Sequence, residues 1–198
     1  MRRFALIPFV CAVALFATFA HAQQIDLAGG AGEMYSTKNT NASQGFLPPP
    51  EKDGIYPSVS LIRLFGNHFG YGAELSTVYK RQLYNGYQEY RPFLYDVNGV
   101  FAHHVAKRTT LNLMAGAGGQ TVAFYNDYAA CTFPGGCVSR VNSTHFLLHL
   151  GAGVSYSFWR NFFVRPEANF YRIINNTDFH SGNVLRLGAS MGYTFHIE

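Results

Sequence analysis

A regular alternation of large apolar residues with small or polar ones constrains this chain more than any other feature. In the final stretch, RLGASMGYTFHIE, one parity holds Leu187, Ala189, Met191, Tyr193, Phe195 and Ile197. The other holds Arg186, Gly188, Ser190, Gly192, Thr194 and His196. Successive strand residues point to opposite faces, so this period builds two surfaces of different chemistry. The pattern recurs upstream. Phe146, Leu148, Leu150, Ala152, Val154, Tyr156 and Phe158 oppose His145, Leu147, His149, Gly151, Gly153, Ser155 and Ser157. Leu111, Leu113, Ala115 and Ala117 oppose Asn112, Met114, Gly116 and Gly118, and Phe93, Tyr95 and Val97 oppose Leu94, Asp96 and Asn98. Phe69, Tyr71, Ala73 and Leu75 oppose Gly70, Gly72, Glu74 and Ser76, while Val164, Pro166, Ala168 and Phe170 oppose Arg165, Glu167 and Asn169. Segments 25–35 and 56–65 lose phase near Glu33 and Arg63, as at a bulge or a strand end. Eight strands are expected, with no helix after the leader.

The solvent met by each face follows from the rest of the chain. The N-terminus, MRRFALIPFVCAVALFATFAHAQQ, has two arginines, an apolar run and Ala20-His21-Ala22 as a small-residue cleavage site. A cleaved signal peptide over 1–22 is expected, with cleavage after Ala22 and a single domain over 23–198. No later apolar run is long enough to span a membrane as a helix. Longer polar connections at 36–55, 84–90, 126–142 and 175–182 alternate with tight turns at 66–68, 106–108 and 159–161. In an up-and-down meander this places all the long loops at one end, which is the asymmetry of a transmembrane barrel. Charged residues make up 13% of the chain and aromatics 16%, against a usual charged share of about a quarter. The predicted fold is therefore all-β: an eight-stranded antiparallel up-and-down transmembrane β-barrel, aromatic face to lipid and polar face to the lumen. The formal net charge of +4 falls to +2 without Arg2 and Arg3 and shows no basic cluster for nucleic acid.

These strands and loops, with Ser190, Gly192, Phe195 and Ile197 spaced on the last strand, resemble the eight-stranded outer membrane barrels of the outer membrane protein A and X families. The resemblance covers essentially all of 23–198. It implies that those four residues form the assembly signal of the last strand, although Glu198 replaces the usual terminal aromatic. The implied partners are outer-membrane lipid, lipopolysaccharide and the barrel assembly machinery, for a monomer in the bacterial outer membrane. No peptidoglycan-binding domain follows the barrel, so a cell-wall anchoring role is not expected.

Chemistry-bearing residues are few. His145 and His149 share a face but stand roughly 13 Å apart at ~3.3 Å per residue, too far for one metal. The His-x-Ser and Glu arrangement of barrel deacylases is absent, and Asp178, His180 and Ser181 are the only loop set of acyltransferase type. GAGGQ at 116–120 has no following helix, so its glycines make room in the lumen instead of holding phosphate. No catalytic residue, metal or cofactor is expected. Glu74, Lys80, Asp96, His149, Arg165, Glu167 and Arg186 are expected to pair and plug the lumen, since an unpaired buried charge is strongly unfavourable. Within this group, Lys80 and Asp96 are expected near each other across a hairpin. Cys131 and Cys137, five residues apart around Pro134-Gly135-Gly136, are expected to form a disulfide in an exported chain. The expected role is structural or at the cell surface. A loop-borne adhesin, a lipid A-modifying enzyme and a minor pore are the alternatives.

Overall fold

The computed structural model describes residues 23–36, 51, 53–65, 68–84, 86, 88–132 and 136–197, without the side chains of 23, 126–138 and 197. The predicted leader, its cleavage point after Ala22 and the Ile197 side chain lie outside these. The strands are β1 (Gln23–Ser36), β2 (Gly54–Phe65), β3 (Phe69–Thr77), β4 (Gln82–Tyr84) and β5 (Gln88–Ala106). They continue with β6 (Thr109–Thr132), β7 (Gly136–Trp159), β8 (Phe162–Ile174) and β9 (Asn183–Ile197). Eight of them form an antiparallel ring in chain order. It closes where β1 meets β9 from Gln23↔Ile197 to Ser36↔Val184. The ninth, β4, is a three-residue strand paired only to the start of β5, where β3 has ended.

The alternation fixes the wall. Along β8 the buried residues are Phe163, Arg165, Glu167, Asn169, Tyr171 and Ile173, and the residues between them face outward. The outward face carries Leu27, Val59, Leu75, Val97, Leu113, Leu150, Leu187 and Met191, each more than 40% exposed. Soluble monomers rarely leave so continuous an apolar band in water. Because the ring is closed, no sheet edge is presented to a hydrocarbon phase.

Besides the extra strand β4, the structure differs from the sequence reading in the course of several strands. The phase losses at Glu33 and Arg63 are not bulges, because β1 and β2 pair in unbroken register from Gln23↔Phe65 to Met34↔Gly54. Both residues point outward near strand ends, where Glu33 accepts from the Tyr35 hydroxyl and Arg63 donates to that of Tyr71. The register breaks instead at His104/Ala106, Tyr125/Ala130 and Ser157/Trp159. The expected long loop at 126–142 is largely strand, with β6 and β7 continuing to Thr132 and Gly136. Beyond Tyr125, β6 pairs only with β7, so this hairpin stands clear of its neighbours.

Candidate functional site

The lumen is crossed at mid-height by a layer of buried charge. Opposite four of the bulky polar residues, a neighbouring strand supplies glycine: Asp96↔Gly118, His149↔Gly116, Asn169↔Gly151 and Glu167↔Gly153. A Cβ at Gly151 would meet Asn169 Oδ1, His149 Nε2 and the Met114 methyl, so this glycine makes the room for the contact between His149 and Asn169. At these positions a large inward side chain is set beside an absent one, which leaves the large one room to reach into the barrel.

Arg186 on β9 pairs with Glu74 on β3 and, at 3.0 Å, with Glu167 on β8. Arg165 pairs with Glu167 at 3.1 Å and donates to Ser60 Oγ on β2 at 2.8 Å. The links from β9 to β3 and from β8 to β2 each pass over two intervening strands, so they span the lumen. On the opposite wall, His149 Nδ1 lies 3.2 Å from Asp96 Oδ1 and 2.9 Å from Asn98 Oδ1, while Nε2 lies 3.0 Å from Asn169 Oδ1. The ring stacks on Tyr171 with centroids 4.7 Å apart. Glu74 and Asp96 are direct cross-strand partners, a like-charge juxtaposition that disfavours the sheet. Arg186 and His149 relieve it from opposite sides. Below this layer Asp26 accepts from Thr194 Oγ1 at 2.7 Å, and Asn112 donates to Ser155 at 2.7 Å.

The end bearing the long connections is closed separately. Phe179, from the β8–β9 loop, is buried against Tyr84, Tyr90 and Val122. Glu51, ahead of β2, is 1% exposed and accepts from Tyr56 at 3.0 Å and from Gln120 at 2.9 Å. Burial pushes its carboxyl above the ordinary range, and the two hydrogen bonds only partly counter this.

Of the seven predicted lumen residues, Glu74, Asp96, His149, Arg165, Glu167 and Arg186 are buried together. Lys80 is not among them. It is exposed beyond the end of β3, and the neighbour of Asp96 is Glu74. The alternation ends at Thr77, so counting in twos beyond it has no strand to follow. Ser190 faces the lumen and Phe195 the outside on β9, with Gly192 between them. Cys131 and Cys137 are cross-strand partners in the β6–β7 register, and their side chains lie outside the described residues.

A Ser143–His145–Asp178 group escaped the sequence reading because Asp178 arrives from a distant loop. Its geometry does not relay a proton. Ser143 Oγ at 3.0 Å and Asp178 Oδ2 at 2.8 Å both address the same Nε2 of His145, whereas a catalytic triad uses the two ring nitrogens separately. Asp178, His180 and Ser181 do not assemble either, since Ser181 bonds Asn183 and His180 Nε2 has no hydrogen-bond partner.

Solved structures carry this closed ring of eight strands. Neisserial surface protein A matches with a TM-score of 0.62 at 14% identity, over 87% of this chain and 97% of that one. The N-terminal β-barrel domain of Pseudomonas aeruginosa OprF matches with a TM-score of 0.58 at 11% identity, over 88% and 100%. The fold is that of the bacterial outer-membrane barrels. Yersinia pestis Ail, solved in complex with the heparin analogue sucrose octasulfate, matches with a TM-score of 0.56 at 13% identity, over 88% and 99%. No family model matches the sequence. Nor does any curated protein sequence.

Proposed function

We propose that this chain is an integral barrel of the bacterial outer membrane that acts in the envelope and at the cell surface, as a monomer whose lumen is closed by its own side chains. The observation that carries the reading is the pair of guanidinium groups, Arg165 and Arg186, which share Glu167 and reach over two intervening strands to Ser60 and Glu74 respectively. An eight-stranded barrel is only wide enough for its interior to be filled by side chains, so charges locked into pairs leave no wide path for ions. Its surroundings would be lipid and lipopolysaccharide, and its last strand would carry the signal for the assembly machinery. No enzymatic role is proposed, because Ser143 and Asp178 compete for one nitrogen of His145. Conductance of the purified protein in planar bilayers tests the closed lumen. Little or no steady current is expected, and a large open pore would defeat the reading.

A second reading, a loop-borne receptor for anionic surface ligands, is favoured by one observation. Arg81 and Arg140 both lie over the ring of Tyr125, at 4.0 and 5.7 Å, where the β6–β7 hairpin leaves the barrel. Arginine forks fit sulfate and phosphate, and such a ligand would take the place of exposed Glu89, which pairs with Arg81 at 2.7 Å. Retention on immobilised heparin, weakened by Arg81→Ala with Arg140→Ala, would support it, and retention unchanged by both substitutions would exclude this site.

A further inference from the structure

We infer that the tight-turn end of the barrel is a binding belt for anionic phospholipid headgroups. This rests on the proposed function: in an outer-membrane barrel the short turns face the periplasm, where the membrane leaflet is phospholipid. Three observations place the belt. First, Lys107, Arg108 and Arg160 are all exposed in adjacent turns, and Arg63 faces outward on the end of β2. The only carboxylate at this end among the described residues, Asp26, is 7% exposed and turned inward to Thr194. At the other end, by contrast, Glu33 and Asp53 stand exposed, and Glu89 neutralises Arg81.

Second, each turn is fixed to a neighbouring strand. The Ala102 amide donates to His68 O at 2.7 Å, that of Ser157 to Arg108 O at 2.9 Å, and that of Thr194 to Asn161 O at 2.9 Å. Each turn is tied to the next strand end, so the cations sit on a rigid rim. Third, aromatic rings run along the same rim. Trp159 stacks on Phe162 at 5.7 Å, Phe162 meets Tyr193 at 5.0 Å, and Tyr193 meets Phe195 at 4.7 Å. Such belts sit at the level of the headgroups. Arg160, held over Trp159 at 5.7 Å, is thereby placed where lipid phosphates lie. Cations just outside an anionic leaflet attract its headgroups. The aromatic rings set the depth, and the exposed cations of Lys107, Arg108 and Arg160 select the lipid.

Trp159 is the chain's one tryptophan, so its emission reports the lipid beside this rim. The full-length protein is refolded into phosphatidylcholine vesicles carrying a minor fraction of either brominated phosphatidylglycerol or brominated phosphatidylcholine. Quenching by the anionic lipid is expected to correspond to about threefold enrichment over the zwitterionic one. The enrichment should vanish in a Lys107→Gln, Arg108→Gln, Arg160→Asn variant, in which asparagine suits the positive φ of 47° at Arg160. If that variant does not fold, judged by heat-modifiable migration, Arg160→Asn alone should show a partial loss. Equal quenching by the two lipids, or enrichment that survives the substitutions, overturns the proposal. So does stronger protection of Trp159 by lipopolysaccharide than by phosphatidylglycerol. An epitope tag near Asn161 that is reachable on intact cells would instead show the topology to be reversed, a failure separate from that of lipid preference.

Discussion

Glu167 holds two guanidinium groups at once, those of Arg165 and Arg186, and also lies 3.4 Å from Ser190 Oγ. Removing one partner of a buried ion pair leaves a stranded charge and costs about 3–5 kcal/mol. Glu167→Ala is expected to lower the unfolding free energy by about that much, measured by urea titration in vesicles, and to raise the bilayer current above that of the unmutated protein. Lys80→Ala, outside the network, should change stability by less than about 0.5 kcal/mol. A large effect at Lys80, or none at Glu167, would contradict the placement of the two side chains. At the long-loop end, burial raises the titration of the Glu51 carboxyl above the ordinary glutamate range. A raised folded value means that the folded form binds the proton more tightly. The stability contributed by this contact is thus complete below pH ~4.5 and declines as pH rises through the raised value. Glu51→Gln should flatten that part of the pH dependence of thermal unfolding, and an unaltered profile would show that Glu51 does not report on folding.

Among the elements, the β6–β7 hairpin departs furthest from the sequence reading. In place of a long loop, the chain continues the ladder to Thr132 on β6 and from Gly136 on β7. Cys131 and Cys137 become direct register partners. Opposed residues of an antiparallel pair have Cα atoms about 4.5–5.5 Å apart, within the reach of a disulfide. We propose the bond on this register. It would close a short ring contributing about 2–3 kcal/mol by the chain-entropy model. Mass spectrometry of the oxidised protein should find one linked peptide containing both cysteines. Free thiols alkylated to completion without reductant would refute it.

For the whole molecule, the closed ring and its apolar outer wall predict a protein extracted only with detergent, which migrates differently on gels before and after boiling. Recovery from the soluble periplasm would sink the barrel reading. Tags inserted near Gly45 or Gly135 should be reachable on intact cells, and tags near Asn67 or Asn161 should not. The wall was legible in the sequence because a strand has only two faces, and residues such as Leu148, His149 and Leu150 declare theirs by parity alone. Ring closure was readable from eight such segments with alternating loop lengths. Parity could not say which charges meet, since partners such as Arg186 and Glu74 are separated by 112 positions and join only when the sheet curls shut. It also misplaced Lys80, where the strand had ended, and missed Ser143 and His145 meeting Asp178, because a loop returning over the barrel mouth obeys no period. The sequence by itself determined which face of the regularly alternating strands meets lipid, because burial chemistry is written residue by residue. Only the tertiary structure decided which of the inward charges pair, because that depends on distances across a lumen that no single strand contains.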